Sequence, residues 1–158
     1  SIYNAFGGKQ SVYINALGHF TNRLKAAVGK RIAQESTLEK ALMRAYYSAL
    51  DVYFSSDPAR GCFVFCTAPV EALTHPDIQQ HLQSVLREID RVLEAKFRKA
   101  QESGAFAREL DANLAAQMAQ AMLHSLAIRA RAGESKASLR RMARFAVAQI
   151  CGNHHSRG

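Results

Sequence analysis

Helix breakers are scarce in this chain: three prolines and nine glycines in 158 residues leave long Ala, Leu, Arg, Glu and Gln-rich stretches almost uninterrupted. Strong helix formers dominate, so an all-α fold is favoured before any motif is read. Cysteine is scarce too, and an odd count of three makes no disulfide framework. Cys62 and Cys66 lie four apart and Cys151 stands far away, a pattern that reads as ordinary buried thiols in a reducing cytoplasm. No secretory leader and no long apolar run appears, so no membrane partner is expected. Convergent nucleophile, base and orienter signals are missing, as are metal-ligand spacing and a phosphate loop, which disfavours a small helical enzyme built on Cys62, Cys66 or a histidine. His154 and His155 make a metal pair only if further ligands converge, so no metal and no cofactor is expected. Acid is also short: 21 Lys and Arg against 13 Asp and Glu give a net charge of +8, which makes nucleic acid the first partner to consider. The excess sits in two clusters, Lys9 to Arg31 and Arg129 to Arg157, each of which a solvated helix face could also explain.

What is present is apolar periodicity. With 48% hydrophobic residues the chain has material for one core and one domain. Val12, Tyr13, Ala16, Leu17, Phe20, Leu24, Ala27 and Val28 repeat at helical spacing from Lys9 until Gly29, which can serve as a C-terminal cap. Ser36 and Glu39 form a capping box ahead of a second helix that runs to about Phe54. Asp57-Pro58 reads as the start of a third, carrying the run Cys62-Phe63-Val64-Phe65 and bent at Pro69. Thr74, Pro76 and Asp77 open the longest helix, which ends at Gly104. Asp111 caps the next, apolar around most of its circumference, and Ser135 caps the last. The apolar arc of that last helix is wider than one internal contact uses. Helix–helix dimerisation through Leu123, Leu126, Leu139, Met142, Phe145, Ala146 and Gln149 would absorb it, as would a thicker internal core.

The segment Ser1-Ile2-Tyr3-Asn4-Ala5-Phe6-Gly7-Gly8-Lys9-Gln10 reads as the end of a short helix, a two-glycine corner and the beginning of another helix. Ile2 and Phe6 would plug a small three-helix core, while Tyr3 and Asn4 face outward. With Val12 to Leu17 following without a gap, the segment resembles the junction between the recognition helix and the fourth helix of the TetR family of transcriptional regulators. The resemblance implies an all-α, TetR-like ligand-binding and dimerisation bundle over 9–151, preceded by the remnant of a helix-turn-helix domain over 1–8 and followed by a flexible tail over 152–158. A complete member would have further helices before Ser1, so the sequence is expected to be a truncated or partial one. Ser1, Tyr3 and Lys9 would clamp the DNA backbone, and Asn4 would touch phosphate or base.

The same resemblance implies a mostly apolar pocket. Its candidates are Phe20, Leu24, Tyr46, Tyr47, Leu50, Phe65, Cys66, Pro69, Leu86, Ile89, Met118 and Met122, each of which could equally be plain core. The tyrosines favour an aromatic or cationic lipophilic effector; strong acids fit less well, although Arg44 or His124 could turn inward. The expected protein is a cytoplasmic homodimer that binds operator DNA and is released by such a molecule, with Gly7-Gly8 as a hinge or merely a tight turn. An interaction domain that dimerises without sensing anything is the alternative.

Overall fold

The computed structural model describes residues 8–152. Among these the chain forms only helices: α1 (Gly8–Leu24), a π-helical turn (Lys25–Gly29), α2 (Lys30–Gln34), α3 (Leu38–Tyr53), α4 (Phe63–Glu71), α5 (Pro76–Glu102), α6 (Ala112–Arg131) and α7 (Lys136–Gly152). The remnant and tail expected over 1–8 and 152–158 fall outside this span except for Gly8 and Gly152.

α3 is the axle of the bundle, packed by α2, α5, α6, α7 and the π turn. Ala41, Ala45 and Ala49 recur at four-residue spacing and are fully buried, so neighbouring backbones can approach closely. Leu42, Tyr46, Leu50 and Tyr53 are the large side chains of its buried surface. The two tyrosine hydroxyls donate to α6 carbonyls: Tyr46 to Ala119 O at 3.0 Å and Tyr53 to Leu123 O at 3.4 Å. Each buried phenol thus keeps a partner, without which burial would cost stability.

Three boundaries differ from the sequence expectation. Gly29 is right-handed, with φ −61° and ψ −52°, and is no cap. The rod continues through the π turn to Gln34, whose end is tied down by Lys96 of α5 donating to Ala33 O and Glu35 O at 2.8 Å. The widened turn lets both Val28 and Ile32 reach the core. The hydroxyl that caps α3 is Thr37, accepting from Lys40 N at 3.2 Å, one residue beyond Ser36. α4 starts at Phe63 rather than Pro58, because Gly61 is left-handed at φ +64° and Cys62 is extended.

The capping signature expected of Thr74 and Asp77 does not form, since His75 is the N-cap of α5 without a side-chain cap bond and Thr74 Oγ1 meets His75 Nδ1 at 3.0 Å instead; other local signals hold. Pro76 sits in the first turn of α5, and Ser135 Oγ accepts from Ser138 N at 3.1 Å. Asp111 accepts from the N–H groups of Asn113 and Leu114 at 2.8 and 3.0 Å. Asp111→Ala is therefore expected to cost about 1 kcal/mol of stability, read as a lowered urea midpoint with unchanged slope.

Candidate ligand pocket

A cavity of about 380 Å³ opens between the end of α1, the π turn, α2, α3, α5 and α6. Its wall is almost wholly apolar, built from Leu24, Val28, Ala49, Val85, Ile89 and Leu93 among others. The main polar elements are Thr21, whose hydroxyl meets His81 Nε2 at 3.1 Å, and the half-exposed ion pair Lys25–Glu88 between the π turn and α5. The space exists because three small residues, Ala26, Gly29 and Ala49, line a region bounded by otherwise large ones. Volume and character suit a small apolar ligand.

Only part of the sequence-expected pocket lies here. Leu24 and Ile89 line this cavity, while Phe20 lines a second one that shares Leu24 with the first. Tyr46 and Leu50 are fully buried among core side chains. Tyr47 faces α7 instead, where its hydroxyl accepts from Arg144 at 3.1 Å and its ring lies under Arg140 at 5.2 Å. Phe65 is buried against the edge of His124, with ring centroids 4.3 Å apart. Cys66 is half-buried beside Gly61, and Pro69 is exposed. Leu86 and Met122 sit half-buried at the core margin. Met118 is 73% exposed on the outer face of α6, far from enclosure. Val85, Val92 and Leu93, which do line the cavity, read in the sequence as ordinary stripe positions, and Leu123, which lines it too, was expected at the dimer interface.

The two possible inward cations resolve differently. Arg44 stays at the surface, bonded to Glu35 at 3.0 Å. His124 turns inward, and its Nε2 is buried with no hydrogen-bond partner among the described residues. Burial lowers the pKa of this imidazole from its ordinary 6.5, so the neutral form is the one the fold accepts. Because the folded value lies below the unfolded one, the contribution is complete above about 6.5 and is lost as pH falls from there through the folded pKa. The melting temperature is expected to fall less between neutral and mildly acid pH in His124→Gln than in the parent chain.

Burial also pushes the Cys62 and Cys151 thiols up to about 11, so neither is a thiolate nucleophile at neutral pH. Among the described residues no cluster of His, Cys, Asp or Glu could hold a metal ion. No described helix is long and apolar enough to cross a membrane.

The expected interface residues divide by facing. Leu123, Leu126 and Leu139 are buried inside the chain's own core, Met142 packs on it, and Ala146 is buried too. Phe145 is 68% exposed and Gln149 is also exposed. On α6 the outward apolar residues are Leu114, Met118 and Ile128, which with Ala121 and Ser125 follow a four-three spacing. Of the expected DNA contacts, Ser1, Tyr3 and Asn4 lie outside the described residues, and Lys9 stands exposed in the first turn of α1.

Residues 38–146 match the family model described as "Tetracyclin repressor-like, C-terminal domain". No curated protein sequence matches the chain. Among solved structures, a TetR transcriptional regulator from Chloroflexus aurantiacus aligns with TM-score 0.81 at 16% identity, covering 98% of this chain and 77% of that one. The TetR family regulator CifR, solved with a 26 bp double-strand operator DNA, gives TM-score 0.77 at 19% identity over 92% and 76% of the two chains. The regulator FadR from Bacillus subtilis, in complex with stearoyl-CoA, gives TM-score 0.67 at 16% identity over 97% and 81%. At such identities these likenesses establish the fold.

Proposed function

The chain belongs to the TetR family of transcriptional regulators through its tetracyclin repressor-like C-terminal domain, and on that premise we propose that its apolar cavity takes a small lipophilic or aromatic effector whose binding releases the protein from operator DNA. The observation that carries this reading is the 380 Å³ cavity beneath the π turn, since π turns inserted in helices are frequent at functional sites. CifR with its operator duplex and FadR with an acyl-CoA are similarly folded proteins bound to the two kinds of partner the reading requires.

α1 is the lever. It ends in the cavity wall at Leu24 and begins beside the residues proposed to touch DNA, Ser1, Tyr3, Asn4 and Lys9. Three polar contacts couple it to its neighbours: Tyr13 OH with Thr67 Oγ1 at 2.6 Å on α4, and Gln10 with Asp77 and Thr21 with His81 on α5. A molecule wedged between the π turn and α5 would push on both ends of that linkage. In a homodimer, joined through the outward faces of α6 and α7, the push alters the spacing of the two DNA-reading heads. A ligand favouring the wrong spacing weakens operator binding by its differential affinity, about 1–3 kcal/mol in such systems.

The test is titration of the regulator, with its complete helix-turn-helix head, against the promoter duplex of its own operon across a salt series. Affinity falling steeply with salt is expected. Absence of any salt-sensitive DNA affinity would remove the reading in favour of a dimerising domain that senses nothing.

A further inference from the structure

The second cavity differs from the first in its chemistry. It measures about 730 Å³ and is bordered by α1, the end of α3, the 54–62 connection, α4 and the last residue of α6. Three arginines line it, Arg23, Arg60 and Arg131, and no Asp or Glu does. They come from three elements far apart in sequence, so their meeting is a product of the fold and not one solvated helix face.

Some of the other basic residues around the bundle are held in ion pairs. Lys25 pairs with Glu88, Arg44 with Glu35, Arg98 with Glu94, Arg129 with Glu134, and both Lys136 and Arg140 with Asp51. Among the described residues Arg23, Arg60 and Arg131 form no ion pair; Arg23 instead lies 5.9 Å above the ring of Phe20. Three like charges around a half-enclosed apolar recess repel one another, and an anion among them relieves that repulsion. Guanidinium groups suit the task, since their planar forks bind carboxylate or phosphate oxygens two at a time. Behind them Phe20 and Phe63 lie 4.8 Å apart at 32°, with Tyr53 completing an aromatic wall.

We infer that this second cavity is a binding site for an aromatic organic anion, its acid group held by Arg23, Arg60 and Arg131 and its ring laid against Phe20 and Phe63. The site is separate from the proposed effector cavity, and its ligand is of the class the sequence disfavoured. The cations that make an acid fit, Arg23, Arg60 and Arg131, are brought to one recess from three separate elements.

Calorimetric titration of the 158-residue chain with naphthoate, naphthylmethanol and naphthylmethylammonium compares one ring carrying three different charges. Naphthoate is expected to bind at least about ten-fold tighter than the alcohol, and the ammonium compound more weakly than either. Arg60→Gln and Arg131→Gln should each weaken naphthoate about ten-fold and leave the alcohol unchanged. Added salt should weaken the acid selectively. Equal affinity for the three compounds overturns the proposal. So does unchanged naphthoate binding in a triple Arg23→Gln, Arg60→Gln, Arg131→Gln variant whose circular dichroism shows it folded. If that variant keeps naphthoate but the complete regulator carrying it loses operator DNA, the arginines serve phosphates and the proposal fails. Filling the first cavity with Ala49→Phe should leave naphthoate binding intact; its loss there would place the acid in the wrong cavity.

Discussion

Gly61→Ala is expected to destabilise the chain by about 3 kcal/mol, more than any other glycine substitution in the described fold. Gly61 has φ +64°, where a Cβ costs about 1–2 kcal/mol. That Cβ would also lie 2.3 Å from the carbonyl oxygen of Ala127 and 3.2 Å from Cys66 Sγ. The nearer atom is helix backbone and cannot swing away, so the connection must lift off α6 at a further cost of about 1–3 kcal/mol. Gly104 supplies the control. Its φ is +76°, but nothing lies within 4 Å of the added carbon, and Gly104→Ala should show only the conformational part, about 1–2 kcal/mol. Urea unfolding of both variants checks this: equal losses would mean that contact with Ala127 is not what fixes the connection.

In the proposed homodimer, joined through the outward face of α6, Met118→Glu is expected to raise the dissociation constant at least about 100-fold, since an unpaired charge buried in an apolar interface costs several kcal/mol. Met118 is 73% exposed in the single chain and is flanked at helical spacing by Leu114 and Ala121. The monomer should lose nothing, because the side chain already faces solvent there. Sedimentation velocity over a concentration series reads the change. An unaltered dissociation constant would place the interface elsewhere, whereas a lowered melting temperature at concentrations where the parent chain is monomeric would show that Met118 contributes to the fold itself.

The contrast between Met118 and Leu123 shows where the sequence runs out. Both lie on α6, which is apolar on most of its circumference, with alanine at positions 112, 115, 116, 119, 121, 127 and 130. Periodicity cannot select an inward face on such a helix. The face buried in the chain is the one meeting Tyr46 and Tyr53 of α3, and that contact spans about 70 positions. Met118, expected in the pocket, thus lies outside, and Leu123 and Leu126, expected at the interface, lie inside.

Helix existence was legible because its determinants are local. Asp111 and Ser135 cap their helices through neighbours two or three residues away, and Pro76 opens α5 from within it. The start of α4 was not legible, since it depends on Gly61 meeting Ala127 on another helix. The cavity was illegible for a related reason: Val85 and Leu93 border empty space only because Ala26, Gly29 and Ala49 fall opposite them. The family was read from Ser1 to Gln10, yet the family match rests on residues 38–146. The resemblance and the match therefore support one another from separate parts of the chain.

Occupancy of the cavity beneath the π turn is proposed to set operator affinity. Fluorescence anisotropy of a labelled operator duplex with the complete regulator tests it, using N-phenylnaphthylamine as an apolar probe and comparing parent protein with Ala49→Phe. The probe is expected to weaken operator binding about 5–150-fold in the parent and to have no effect in the variant, whose new ring occupies the space. An equal response in a correctly folded Ala49→Phe protein would contradict it.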